Sequence, residues 1–259
     1  MAVLEVSALV LFALIVIAFL SGIGITTIGP GGIFVTIALF TLTPLTSAEV
    51  AGTAHLTFVA TGILGSAAYL QSGEFSTGRA RGLVLLLSGG SVLGAIGGAV
   101  INQFVARDTF GLLLGLVAVI VGVTILYRER RGVLAVYELD LGIRRDRVTL
   151  TVVGVGLGVV SGLLGIGGPV LAVPVLVLLG TPMLTAVAVA QVQSIFIAAF
   201  ASGSYLYYDA VSFGFAILVG GPLLVGVVIG WKVAHLVDPT RLTLLLGAVL
   251  VAVGPYLAF

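Results

Sequence analysis

Two short glycine–proline clusters are the stretches of this chain best suited to chemistry: Gly29-Pro30-Gly31-Gly32 and Gly165-Ile166-Gly167-Gly168-Pro169. A helix that restarts after such a cluster offers unpaired backbone N–H groups and the positive end of its dipole. Glycine lets a ligand approach that backbone closely, so the element suits a small oxyanion or carboxylate. A tightly packed kink would explain either cluster alone. Two clusters in corresponding places favour one shared site, with Gly29, Gly31, Gly32, Gly165, Gly167 and Gly168 supplying backbone. Broken apolar segments in both halves of a chain are a pointer to a transporter's binding site.

Polar side chains in the apolar stretches that follow are the next candidates: Thr53 and His55 in the first half, Gln191, Gln193 and Ser194 in the second. Gln191 and Ser194 share a helix face, whereas Gln193 points nearly opposite. One face is expected to line a cavity and the other to hydrogen-bond a neighbouring helix, a contact worth roughly 0.6 kcal/mol in membrane proteins. His55 is the ionisable group that lies well inside a predicted span. It is a candidate proton-coupling residue, and a neutral, hydrogen-bonded histidine two turns from the helix start is the alternative. Glu49 reads as a cap, because Thr46-Ser47-Ala48-Glu49 has capping-box spacing. His235 reads as an interface residue near Asp238.

These residues must be positioned by membrane-spanning helices. The chain is 60% hydrophobic and 8% charged, with mean hydropathy +1.32, which excludes an ordinary globular domain. From Val148 to Tyr208 there are 61 residues without a charge. One helix of that length would run about 90 Å, three times the hydrocarbon core, so the chain must turn within it. Predicted spans are Leu4–Ile28, Ser47–Leu70, Arg81–Gln103, Thr109–Tyr127, Val148–Leu164, Met183–Tyr207, Ser212–Val233 and Arg241–Phe259. Ile33–Leu42 and Val170–Leu179 are half-length segments, each tolerated at membrane depth only beside protein or a water-filled cavity. Asp108 is the expected N-cap of the fourth full span and Asp238-Pro239 the start of the last. The apolar N-terminal stretch lacks a basic n-region and a cleavage site, and is expected to be a retained span.

Residues 128–147 hold six of the eleven basic residues. The positive-inside rule makes this linker cytoplasmic, between a first transmembrane repeat, 1–127, and a second, 148–259. Shifting the sequence by 138 residues places Gly24 on Gly162, Gly29 on Gly167, Pro44 on Pro182 and Tyr69 on Tyr207, and pairs Thr53 with Gln191 and His55 with Gln193. The expected fold is thus an all-α polytopic membrane protein of two homologous halves, each with about four full spans plus one short broken or re-entrant helix. Inverted repeats fit discontinuous helices meeting at the midplane better than parallel ones.

An enzyme is not expected. H-E-x-x-H and G-x-S-x-G are absent, and Gly154-Val155-Gly156-Leu157-Gly158 lies in an apolar span without the strand or acidic partner of a nucleotide loop. With no cysteine there is no thiolate chemistry. No cofactor or metal is expected, and the net charge of +1 argues against a nucleic-acid partner. The partners expected are a small anionic substrate and the lipid bilayer, with a homodimer left open.

Gly165-Ile166-Gly167-Gly168-Pro169 with the following apolar run and Pro174, and Val50-Ala51-Gly52-Thr53 followed by Gly62, Gly65 and Tyr69, resemble the sulfite exporter family TauE/SafE. The resemblance covers nearly the whole chain. It implies a plasma-membrane exporter of small anions such as sulfite, organosulfonates or related organic acids, with an anion channel or a non-transporting binding protein as rivals. The pattern departs from the family's in that proline precedes the double glycine of the first cluster and Ala190-Gln191 replaces Gly-Thr.

Overall fold

The computed structural model describes residues 6–131, 137, 139–236 and 240–258. Among them the chain is all-helical: α1 (Ala8–Thr27), α2 (Ile33–Leu42), α3 (Ser47–Gln71), α4 (Gly78–Asn102), α5 (Arg107–Arg131), α6 (Arg144–Leu164), α7 (Gly168–Leu178), α8 (Met183–Tyr207), α9 (Phe213–Leu236) and α10 (Thr240–Ala258). Seven of these are long and apolar enough to cross a bilayer, with α2, α7 and α10 as shorter apolar helices.

The boundaries follow local chemistry. Thr46 and Glu49 form the expected capping box at the start of α3: each accepts from the other's backbone N–H, at 2.8 and 3.3 Å. Helix α5 begins one residue before Asp108. Phe110 N donates to Ala106 O, so Asp108 sits in the first turn rather than at the cap, where its charge still favours the helix dipole. The basic linker is shorter than hydropathy indicates, because α5 runs on to Arg131 and α6 starts at Arg144. Arginine and glutamate are good helix formers, and leaving the apolar region does not end a helix. The expected start of the last helix at Asp238-Pro239 lies outside the described residues.

Helices pair through small residues. Along α4 and α6 a Cβ on Gly90, Gly94 or Gly98 would press into the carbonyls of Thr151, Val155 and Val159, and one on Gly158 or Gly162 into those of Ser91 and Ala95. Residue numbers rise together, so the pair is parallel. The α1–α9 pair is built alike, with Gly22 on Leu223, Gly226 on Phe19 and Gly230 on Ile23. By contrast α3 and α8 are antiparallel (Gly52 on Tyr205, Gly65 on Gln191), as are α5 and α10 (Gly115 on Gly254, Gly122 on Gly247). Between membrane helices, where apolar burial offers no advantage over lipid, such close approach supplies the packing attraction.

These contacts correct the internal register. The α1 carbonyls of Phe19 and Ile23, which receive Gly226 and Gly230, play the parts of the α6 carbonyls of Val155 and Val159, which receive Gly94 and Gly98, a shift of 136 rather than 138. The same shift carries the hydrogen bond from Tyr69 Oη to Thr26 O onto that from Tyr205 Oη to Gly162 O. It places His55, not Thr53, opposite Gln191, and Thr57 opposite Gln193. The 138 alignment was drawn to Pro44 and Pro182. Pro44 stands three residues before α3, whereas Pro182 immediately precedes α8, and loop prolines need not share a position.

Candidate functional site

Each short helix begins at a glycine that no other residue could replace without strain. After α1, Gly29 adopts φ 101°, and Pro30–Gly32 form a single 3-10 turn leading into α2. After α6, Gly165 is left-handed at φ 66° and its N–H closes on Ser161 O at 2.8 Å. Gly167 follows at φ 75°, and Pro169 occupies the first turn of α7, where its missing N–H costs nothing.

The two breaks are buried and touch. A Cβ on Gly32 would stand 3.0 Å from Ile166 O, and one on Gly29 2.6 Å from Val173 Cγ2 of α7. Thr36 Oγ1 of α2 donates to Gly165 O. Between the breaks lies a cavity of about 10 Å³, room for about one water. Gly29, Gly32, Gly167 and Ser194 line it, with Phe58 and Thr61 of α3. No charged side chain among the described residues does. Phe58 and Ser194 sit near the middle of two 25-residue helices, so the cavity lies at mid-height of the bundle.

Donors are available there. Gly168 N–H donates to Ser194 Oγ at 3.3 Å, while the N–H groups of Ile166 and Gly167 have no acceptor among the described residues. Ser161 Oγ donates to Gly167 O at 3.2 Å, fixing the turn between α6 and α7. Oriented backbone N–H groups in an uncharged pocket can hold a small anion without a fixed countercharge.

The other sequence candidates divide. Gly165 and Gly168 flank the cavity, the first against Ala51 and the second against Ser194, while Gly31 turns away into Ser21 and Ile25 of α1. Gln191 Nε2 donates to Ile25 O at 3.1 Å and its Oε1 is buried without a partner. His55 is fully buried, with Nε2 donating to Ser161 O at 2.9 Å and Nδ1 without a hydrogen-bond partner. Both thus grip the helix before a break rather than line the cavity. Gln193 points the other way, as its helix position requires, and donates to Ser91 Oγ at 2.7 Å. Thr53 does not line the cavity; its Oγ1 accepts from Ser212 N at 2.9 Å and holds the α8–α9 turn. Sequence reasoning missed Phe58, Thr61 and Thr36. At the corrected register Phe58 is the counterpart of Ser194, which was the available signal.

The sequence profile described as Sulfite exporter TauE/SafE matches residues 12–257. No curated protein and no solved structure matches the chain. With the match running from within α1 to within α10, the chain belongs to the sulfite exporter TauE/SafE family.

Proposed function

We propose that this family member exports small anions, of the class of sulfite, organosulfonates and related organic acids, across the plasma membrane by alternating access. The observation that carries the reading is the meeting of two helix breaks around a small uncharged cavity at mid-height. An anion there would be held by the backbone N–H groups of Ile166 and Gly167 and by Ser194, with Gly29, Gly32 and Gly168 allowing close approach. Positive-inside bias makes the Arg-rich linker cytoplasmic, leaving α1 and α9 to run toward the cytoplasm and α6 and α8 away from it. The reciprocal contacts support two inverted halves, 1–127 and 148–259, whose relative rocking would open the cavity to either side.

Purified protein in liposomes tests this by counterflow. Saturable exchange of labelled sulfite or a sulfonate against the same anion inside is the expected result. An ohmic anion current without exchange would replace the carrier with a channel, and stoichiometric binding without flux would leave a binding protein.

A further inference from the structure

We propose that Arg128 is the anion-selecting gate between the linker end of the bundle and the first break, an inference that rests on the transport reading above. A second cavity of about 10 Å³ lies there. Its walls include Ile28 and Pro30 of the first break, Val173 and Pro174 of α7, Met183 at the start of α8, and Arg128 near the end of α5. At room for about one water it is a closed constriction. It lies against the first break, beside a cavity that no charged residue among those described lines. An anion leaving water for backbone donors alone must cross a desolvation barrier, and a cation at the mouth lowers that barrier.

Arg128 is suited to that place because its donors are little used. Its side chain is 19% exposed, and Nη2 pairs at 2.8 Å with Glu129, its neighbour in sequence. The pair is half-buried, joins neighbours in sequence and uses one oxygen of the carboxylate, so it occupies a single edge of the guanidinium. Nη1 has only the Met183 thioether at 4.0 Å, a weak acceptor. Arg107, at the other end of α5, is the contrast. Its guanidinium donates to the carbonyls of Phe40, Thr43 and Leu45 and lies 4.5 Å over the Phe40 ring. Arg107 is committed to the α2–α3 turn, whereas Arg128 keeps a planar fork that matches an oxyanion in bidentate fashion. Met183 sits at the α7–α8 turn, so movement of α7 would withdraw the thioether and present the guanidinium to the anion.

An arginine at a helix end also anchors topology, and the test separates the roles by sidedness. The chain has no cysteine, so a Tyr137→Cys background labelled with an impermeant maleimide reports the orientation of the protein in liposomes. Sulfite saturation is then measured from each face. Arg128→Gln should raise the apparent KM at the linker face roughly tenfold, the loss of one charge-assisted contact, and flatten its salt dependence, while the far-face KM stays within about twofold. Arg128→Lys should be intermediate, and Glu129→Gln, which frees Nη2, should lower the linker-face KM. Equal shifts at both faces, or an unshifted KM in Arg128→Gln, overturn the gate and leave the transporter standing. If Arg128→Gln does not fold, an unchanged linker-face KM in Glu129→Gln overturns it instead. Absence of saturable exchange in the unaltered protein sinks the transport reading and the gate with it.

Discussion

His55 and Gln191 stand 136 residues apart, and each reaches across to the helix before the opposite break. His55 Nε2 donates to Ser161 O at 2.9 Å and Gln191 Nε2 to Ile25 O at 3.1 Å. Ser161 and Ile25 are themselves 136 residues apart. The two bonds are one interaction made twice, each tying α3 or α8 to the last turns of α6 or α1.

Because glutamine at 191 makes the same bond as histidine at 55, His55→Gln should keep flux within about threefold of the unaltered protein. His55→Leu, which leaves the Ser161 carbonyl without this donor, should lose on the order of 1 kcal/mol in detergent unfolding. The pH dependence of flux should be unchanged in His55→Gln. Its disappearance would instead assign the coupling proton to His55.

Ser194 and Thr53 test which side chain belongs to the proposed site. Ser194→Ala removes the acceptor of the Gly168 N–H beside the cavity, and should raise the apparent KM for sulfite about tenfold. Thr53→Ala acts on the α8–α9 turn, so it should lower the unfolding midpoint and leave KM unaltered. Saturation curves and thermal unfolding of both variants check the pair; the reverse pattern would move the site to Thr53.

Gly29 combines a positive φ with a close neighbour. Gly29→Ala should cost roughly 2 kcal/mol or more, from left-handed strain and from the clash with Val173. Adding Val173→Ala removes the Cγ2 at 2.6 Å but leaves Cβ at 2.8 Å, so it should recover only part of the steric cost and none of the conformational part. An unshifted midpoint in Gly29→Ala alone would show that the break is held by other means.

Glycines on α4 should differ by face. A Cβ on Gly94 would press into Val155 O, whereas one on Gly97 meets nothing within 4 Å. Gly94→Ala should destabilise by about 2 kcal/mol, and Gly97→Ala should be neutral or gain up to about 1 kcal/mol from helix propensity. Thermal unfolding in one detergent compares them.

Much of this was legible in the chain. Charge-free length implies spans, Gly29 and Gly165 mark the breaks, and Thr46 with Glu49 announces the start of α3, because each signal is local and depends on backbone geometry or solvent. The cavity between the breaks was legible in part: Gly29, Gly32, Gly167 and Ser194 stand out in the sequence and line it, and the opposite orientation of Gln193 follows from helix period. Thr53 pairs with Gln191 only in a register that matches Pro44 to Pro182, and prolines in loops are loosely constrained in position.

What the sequence determines by itself is therefore the solvent, the spans and the positions of both breaks, since hydropathy and the left-handed preference of glycine act within a few residues. Which breaks meet, which face of α8 they meet, and that Arg107 binds three carbonyls while Arg128 pairs with its neighbour Glu129, come only from the tertiary structure. Those facts depend on how closely glycine faces let α1 approach α9 and α4 approach α6, a packing distance that no single segment encodes.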